Sequence, residues 1–147
     1  KLQTLMVQTI AATTGSLAFG IVYKVKAKRL PVVAIGGGIG WFLYSMFFEM
    51  SGNVFLSNVA ASIFATGFSE VMARKLKAPV VVFLLPCLIP LVPGGGLYYT
   101  MSLAVLRNMA QARNYLVSTV EAAFGIAAGV IVVSVLSNRS VLNRQKT

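Results

Sequence analysis

The chain's unusual backbone chemistry is concentrated in one run, Phe83-Leu84-Leu85-Pro86-Cys87-Leu88-Ile89-Pro90-Leu91-Val92-Pro93-Gly94-Gly95-Gly96-Leu97-Tyr98-Tyr99. Each proline removes a helix donor and clashes with the preceding turn. Three successive glycines weaken a helix and permit dihedrals that other residues avoid. The whole run is otherwise apolar, as for a segment surrounded by hydrocarbon. Unpaired backbone there costs several kcal/mol per group and is tolerated only when buried in protein or lining a wet cavity. The run therefore predicts a cavity near the middle of the membrane. A second half-helix starting near Gly95 aims free N–H groups and its positive dipole end into that cavity. Such an end binds carboxylates and recurs in transporters with broken helices. Pro93, Gly94, Gly95 and Gly96 are the expected substrate-binding backbone, with Tyr98 and Thr100 placed to orient a ligand. The competing reading is a proline kink whose freed groups are satisfied by neighbouring helices. The glycines do not form a nucleotide loop, since no Lys-Ser/Thr follows them.

The acidic side chains are Glu49, Glu70 and Glu121 alone. An ionisable residue inside a span costs about 2.5–3.5 kcal/mol or more and usually faces a cavity or a partner. Glu121 has no cation within a helical turn, so it is the first candidate for a reversible proton carrier. Glu70 is the second. It precedes Arg74 by four residues, and an ordinary ion pair at the interface also accounts for it. Asn58, Ser62, Thr66 and Glu70 recur every four residues, a polar stripe that would line a path. Glu49 stands beside Ser51-Gly52-Asn53 at a helix end and reads as solvated. With no His and one Cys, the chain offers neither a His/Cys metal site nor a disulfide framework. No nucleophile–base set and no paired carboxylates can be read, so neither an enzyme nor a cofactor is expected.

The elements that position these residues follow from composition. Of 147 residues, 57% are hydrophobic and 11% charged, against about 45–50% and about 25% in soluble domains. Mean hydropathy is +0.81. A bilayer core about 30 Å thick needs about 20 helical residues. The expected fold is an all-α polytopic membrane protein, a single transmembrane domain over 1–147. Its five spans fall at about 2–23, 31–48, 54–73, 79–106 (broken at the Pro/Gly run) and 115–137. The first apolar run, 5–23, has no cleavage-site context and is long enough to span, so it reads as a helix and not as a signal peptide.

The net charge of +10 raises nucleic-acid binding, but the cations sit in short clusters between apolar runs, as in cytoplasmic loops. Lys24, Lys26, Lys28 and Arg29 follow the first span, Arg74, Lys75 and Lys77 the third, and Arg139, Arg144 and Lys146 the last. A re-entrant loop at 79–106 would place the last cluster across the membrane from the others. A discontinuous crossing gathers all three on one side, leaving Lys1, Arg107 and Arg113 opposite. The positive-inside rule then favours five crossings, the N-terminus outside and the C-terminus cytoplasmic. An odd number of spans cannot divide into two inverted halves, so any repeat must come from another copy or chain. Gly36–Gly40 and Gly125–Gly129 have GxxxG spacing, and small residues of this kind let helices approach closely. Trp41, Tyr44, Tyr98, Tyr99 and Tyr115 have the amphipathic rings of an interfacial belt.

Pro86–Tyr98 (P-C-L-I-P-L-V-P-G-G-G-L-Y), preceded by Ser69–Pro79 (S-E-V-M-A-R-K-L-K-A-P), resembles the ThrE-type threonine/serine exporter family. The resemblance is to the family's short half, which in two-component members is a separate subunit, and it covers roughly 20–137. It implies a plasma-membrane, secondary-active exporter of small carboxylate metabolites, either threonine and serine or a dicarboxylate such as succinate. It also implies a larger membrane subunit as partner, hence a hetero-oligomer. The rival expectation is a structural or assembly subunit, with the transport path in the partner chain.

Overall fold

The computed structural model describes residues 2–144, with side chains described over 3–138; Lys1 and the tail cations Arg139, Arg144 and Lys146 lie outside the described side chains. The described residues form six α-helices and no strand: α1 (Leu2–Val22), α2 (Leu30–Ser51), α3 (Val54–Leu76), α4 (Val81–Leu88), α5 (Gly94–Val105) and α6 (Met109–Arg144). Short 3-10 turns precede α2 (Ala27–Arg29) and follow α4 (Ile89–Leu91). Gln3–Val22, Ala27–Ser51, Val54–Leu76 and Met109–Asn138 are each long and apolar enough to cross a bilayer. Val81–Leu91 and Gly94–Val105 meet at an angle of 45° and, taken as one broken span, supply a fifth. The chain is thus an all-α polytopic protein.

Local chemistry sets the helix ends. Gly52 closes α2 in the left-handed conformation (φ +62°), its N–H donating to the Phe48 carbonyl at 2.8 Å. Asn53 then caps α3, its side chain accepting from the Leu56 N–H at 3.2 Å. Glycine after a helix and asparagine before one are the favoured residues at such ends, so two residues turn the chain through an antiparallel hairpin. Helix α6 begins at Met109, six residues ahead of the expected start at Tyr115. Gln111, Arg113 and Asn114 are too polar to register as membrane span, yet helix propensity accommodates them, and the Asn108 side chain accepts from the Gln111 N–H at 3.4 Å.

Small residues determine how the helices pack. Helix α4 lies in the groove between α1, α2 and α3, with Phe83, Pro86 and Cys87 fully buried. A methyl group at Gly36 would stand 2.7 Å from Cys87 Sγ, and one at Gly37 would overlap the Ser16 hydroxyl. Helix α6 runs parallel to α3. A methyl at Gly125 would lie 2.7 Å from the Phe55 carbonyl oxygen, and one at Gly129 would lie 2.9 Å from that of Val59. Gly36, Gly125 and Gly129 of the two GxxxG pairs therefore serve close packing within the chain. Helix α5 packs chiefly on α6, with Tyr99 stacked on Tyr115 at 5.3 Å between ring centroids.

Two contacts tie the cationic segments into one end of the bundle. The Arg29 guanidinium donates to the Leu76 carbonyl at 3.0 Å, joining the α1–α2 link to the end of α3. Arg74 donates to the Ser137 hydroxyl at 2.6 Å, joining α3 to the far part of α6. The α2–α3 hairpin and the α5–α6 turn lie towards the opposite end.

Candidate functional site

Prolines and glycines make the break by removing partners. Pro90 and Pro93 have no N–H to give to carbonyls one turn back. The 3-10 turn ends as Val92 becomes extended (ψ 124°), and the Gly94 N–H folds back to the Val92 carbonyl at 2.8 Å. No side chain caps α5. Its next two donors, the N–H groups of Gly95 and Gly96, belong to the first helical turn, which has no carbonyl of its own to bond.

A cavity of about 330 Å³ opens beside this break. Its floor is the broken backbone itself, Pro90 to Pro93 with Gly95 and Gly96. Its walls are Trp41 and Tyr44 from α2, Val54 and Asn58 from α3, and Tyr115, Ser118, Thr119 and Ala122 from α6. No charged side chain lines it. Relative to its walls the cavity is off-centre: Val54 and Asn58 belong to the first two turns of α3, at the hairpin end, whereas Trp41 is at the midpoint of α2. A second cavity of about 410 Å³ lies between α1 and α2, beside Gln8, Ser45 and Glu49, and it too is lined by Trp41 and Tyr44. Two cavities thus share the Trp41 and Tyr44 rings, whose centroids are 5.2 Å apart.

Three buried side-chain polar atoms have no hydrogen-bond partner among the described residues: Ser16 Oγ, Trp41 Nε1 and Asn58 Oδ1. Two of the three belong to residues of the break cavity. Asn58 is only 2% exposed; its amide nitrogen donates to the Val54 carbonyl at 2.9 Å, leaving the oxygen unspent. An orphaned buried polar group costs about 1–3 kcal/mol, so this pair needs an explanation.

The expected site residues divide clearly. Pro93, Gly95 and Gly96 line the cavity. Gly94 begins α5 but is not in the lining. Tyr98 is 67% exposed and makes an edge-to-face contact with Tyr99, and Thr100 donates to the Gly96 carbonyl at 2.7 Å; neither reaches the cavity. Glu121 is exposed and lies with Arg113, Asn114 and Ser118 along a separate cleft between α6 and Val54. Glu70 accepts from the Ser137 hydroxyl at 2.9 Å and stands 3.7 Å from the Arg74 guanidinium, the arrangement its spacing predicts. In the stripe from Asn58 to Glu70, Thr66 donates to the Ser62 carbonyl, and the neighbouring Ser69 donates to that of Ala65. Ser62 faces the carbonyls of Val59 and Gly125. Those hydroxyls are satisfied by backbone, and only Asn58 has an unspent atom. Trp41, grouped by type with the interfacial aromatics, is instead a mid-helix wall residue. Its signal was position, ten residues from the nearer end of α2.

Long apolar helices, with a broken helix beside a cavity that no charged side chain lines, define a polytopic membrane protein. The chain belongs to the threonine/serine exporter family, ThrE, which it matches over residues 8–136, a stretch that takes in part or all of every helix. No curated protein and no solved structure matches it.

Proposed function

We propose that this chain is the membrane subunit of a secondary-active exporter of small carboxylate metabolites, threonine and serine or a dicarboxylate such as succinate. The substrate carboxylate is held at the α4–α5 break by the N–H groups of Gly95 and Gly96. The carrying observation is that these uncapped donors adjoin a cavity whose walls come from three other helices. Its volume, about 330 Å³, is at the small end of the range for ligand pockets, about 300–1,000 Å³, which suits a small metabolite. The chain works as a carrier and catalyses no covalent chemistry. Export is proton-coupled through Glu121, with Glu70 the weaker candidate because it already has Arg74 and Ser137 as partners. The protein resides in the plasma membrane with its N-terminus outside and C-terminus cytoplasmic, an orientation supported by the cations drawn together through Arg29 and Arg74.

A larger subunit of the same family completes the exporter. Helix α5 supports this reading: it packs chiefly on α6, leaving Leu97, Tyr98, Met101 and Val105 at least half exposed. The same face favours the rival reading, a scaffold whose partner holds the whole path. Gly95→Leu separates them. A Cβ at Gly95 meets no atom within 4 Å, so a side chain can start there without displacing the fold while it screens the donors. Efflux of labelled threonine from proteoliposomes should fall to background with assembly intact; undiminished efflux would leave the scaffold reading standing.

A further inference from the structure

We propose that the cavity between α1 and α2 is the exit subsite of the transport path, and that the Trp41 and Tyr44 rings are the partition between it and the break cavity. The inference rests on the reading of the break cavity as the substrate site and adds the route by which the solute leaves it.

The sequence explains why a second cavity lies there. Helices α1 and α2 run antiparallel, and glycines bring them together near the middle of α2. A Cβ at Gly37 would overlap the Ser16 hydroxyl, and one at Gly38 would overlap the Thr13 hydroxyl, so the helices approach closely there. No glycine follows Gly40 until Gly52. The facing positions become Trp41, Tyr44 and Phe48, and a cavity of about 410 Å³ takes the space between the helices. Its polar lining comes from one face of each helix: Thr4 and Gln8, four apart on α1, and Tyr44, Ser45 and Glu49 on α2. The side chains of Thr4, Gln8, Ser45 and Glu49 form no hydrogen bond or ion pair with any described residue. Lipid satisfies none of these groups, whereas water or a polar solute does. The cavity lies at the hairpin end, away from Arg29 and Arg74, which is the outer end in the orientation proposed above.

Trp41 and Tyr44 are all that the two cavity linings have in common. Phe48 stacks on Tyr44 at 5.9 Å between centroids and lines the α1–α2 cavity alone. A column of three rings along α2 therefore leads from the break towards the hairpin end, and its first two members stand at the boundary. Trp41 Nε1 is buried and has no hydrogen-bond partner among the described residues. An orphaned buried donor is costly, and turning the ring into either hydrated space relieves that cost. The ring thus holds a closed position that it can leave readily. Alternating access needs an element that closes the site from one side; towards the outside, the Trp41–Tyr44 pair is that element.

The test uses the chain together with its co-expressed subunit, in intact cells and in inverted vesicles. Cys87 is buried, so added cysteines report alone. Ser45→Cys should react with a small impermeant methanethiosulfonate from outside intact cells, and its modification should cut export of labelled threonine to background. Ala122→Cys, on the wall of the break cavity and 4% exposed, should react slowly from outside de-energised cells. Adding Trp41→Ala should speed that reaction by about tenfold or more, because the open form it replaces is a minor state of at most about 10%. Trp41→Phe, which keeps a ring, and Leu5→Ala, which widens the α1–α2 cavity alone, should leave it slow. An Ala122→Cys rate that Trp41→Ala does not raise overturns the partition, as does an equal rise with Leu5→Ala. If the Trp41→Ala variant does not assemble, Ser45→Cys decides: full export after modification, or reaction in inverted vesicles alone, overturns the exit subsite. Gly95→Leu separates the two readings. If it stops export while modified Ser45→Cys exports fully, the exit route falls and the break site stands. If it leaves export unchanged, the break site falls, and with it the exit route, whatever the labelling rates.

Discussion

Gly95 and Gly96 are sequence neighbours with opposite surroundings, and the difference is measurable. A methyl group at Gly95 meets nothing within 4 Å, whereas one at Gly96 would overlap Thr119 Oγ1 and lie 3.4 Å from Thr119 Cβ. Neither glycine has a positive φ, so alanine at either position gains up to about 1 kcal/mol of helix propensity. At Gly96 that gain is opposed by overpacking, about 1–3 kcal/mol. The Thr119 hydroxyl cannot simply swing aside, because it donates to the Tyr115 carbonyl at 2.7 Å, a bond worth about 1 kcal/mol. Gly95→Ala should therefore be neutral or stabilising, and Gly96→Ala destabilising by about 1–2 kcal/mol after its propensity gain. Thr119→Ala removes the colliding oxygen and leaves only a Cβ at ordinary contact distance. The double variant Gly96→Ala/Thr119→Ala should recover most of the loss, a coupling of about 1–2 kcal/mol. Melting of the detergent-purified protein reads all four, with 1 kcal/mol worth about 2–4 °C at this chain length. Equal melting of the two glycine variants, or no recovery in the double, would show that α5 does not lean on α6 in this register. The break cavity would then lack its α6 wall.

Three further outcomes follow from the same geometry. Gly125→Ala places a methyl 2.7 Å from the Phe55 carbonyl oxygen and 2.9 Å from Asn58 Cβ; because backbone cannot rotate away, it should cost about 1–3 kcal/mol, and an unchanged melting temperature would contradict the close α3–α6 approach. Cys87 is the one cysteine and is buried, so the wild type should resist an impermeant maleimide, while Asn53→Cys and Asn108→Cys react from outside intact cells and Lys26→Cys and Lys77→Cys only in inverted vesicles; reaction of both sets from one side refutes the orientation. Glu121→Gln should leave substrate binding in place but remove the response of export to an imposed pH gradient, and a retained response excludes Glu121 from coupling.

Much of the architecture was legible because membrane-spanning helices announce themselves through length and hydropathy. The start of α6 was not, since Gln111, Arg113 and Asn114 dilute hydropathy without opposing helix formation. At the break, the effect of Pro86–Gly96 on the backbone could be read directly, because proline and glycine act through their own covalent structure. The cavity's walls could not. Asn58 shared its four-residue spacing with Ser62 and Thr66, and spacing does not reveal which polar atoms the backbone will satisfy. Hydroxyls bond the carbonyl one turn back, while the longer asparagine has two polar atoms and can spend only one that way. Tyr98 and Thr100, by contrast, do not line the cavity. Adjacency to the glycines placed them near the ligand in sequence, but helical rotation turns Tyr98 outward and the Thr100 hydroxyl back to Gly96.

The two halves of the broken segment are held by different means, and this explains how the break persists. Helix α4 is wedged against the glycine face of α2, where Cys87 Sγ lies 3.7 Å from the Val33 carbonyl and Phe83 is buried against Val25, Val33 and Ala73. That packing fixes the chain up to Pro90 without help from the hydrogen bonds the prolines delete. Helix α5 is anchored separately, through Gly96 on Thr119 and Tyr99 on Tyr115. Between two independently fastened ends, the intervening residues need not form a continuous helix. Lipid can satisfy none of the freed groups, so they are tolerable only where protein or a polar solute meets them. Gly95, Gly96 and Asn58 line the recess at the break, and Trp41 lines both it and the cavity between α1 and α2.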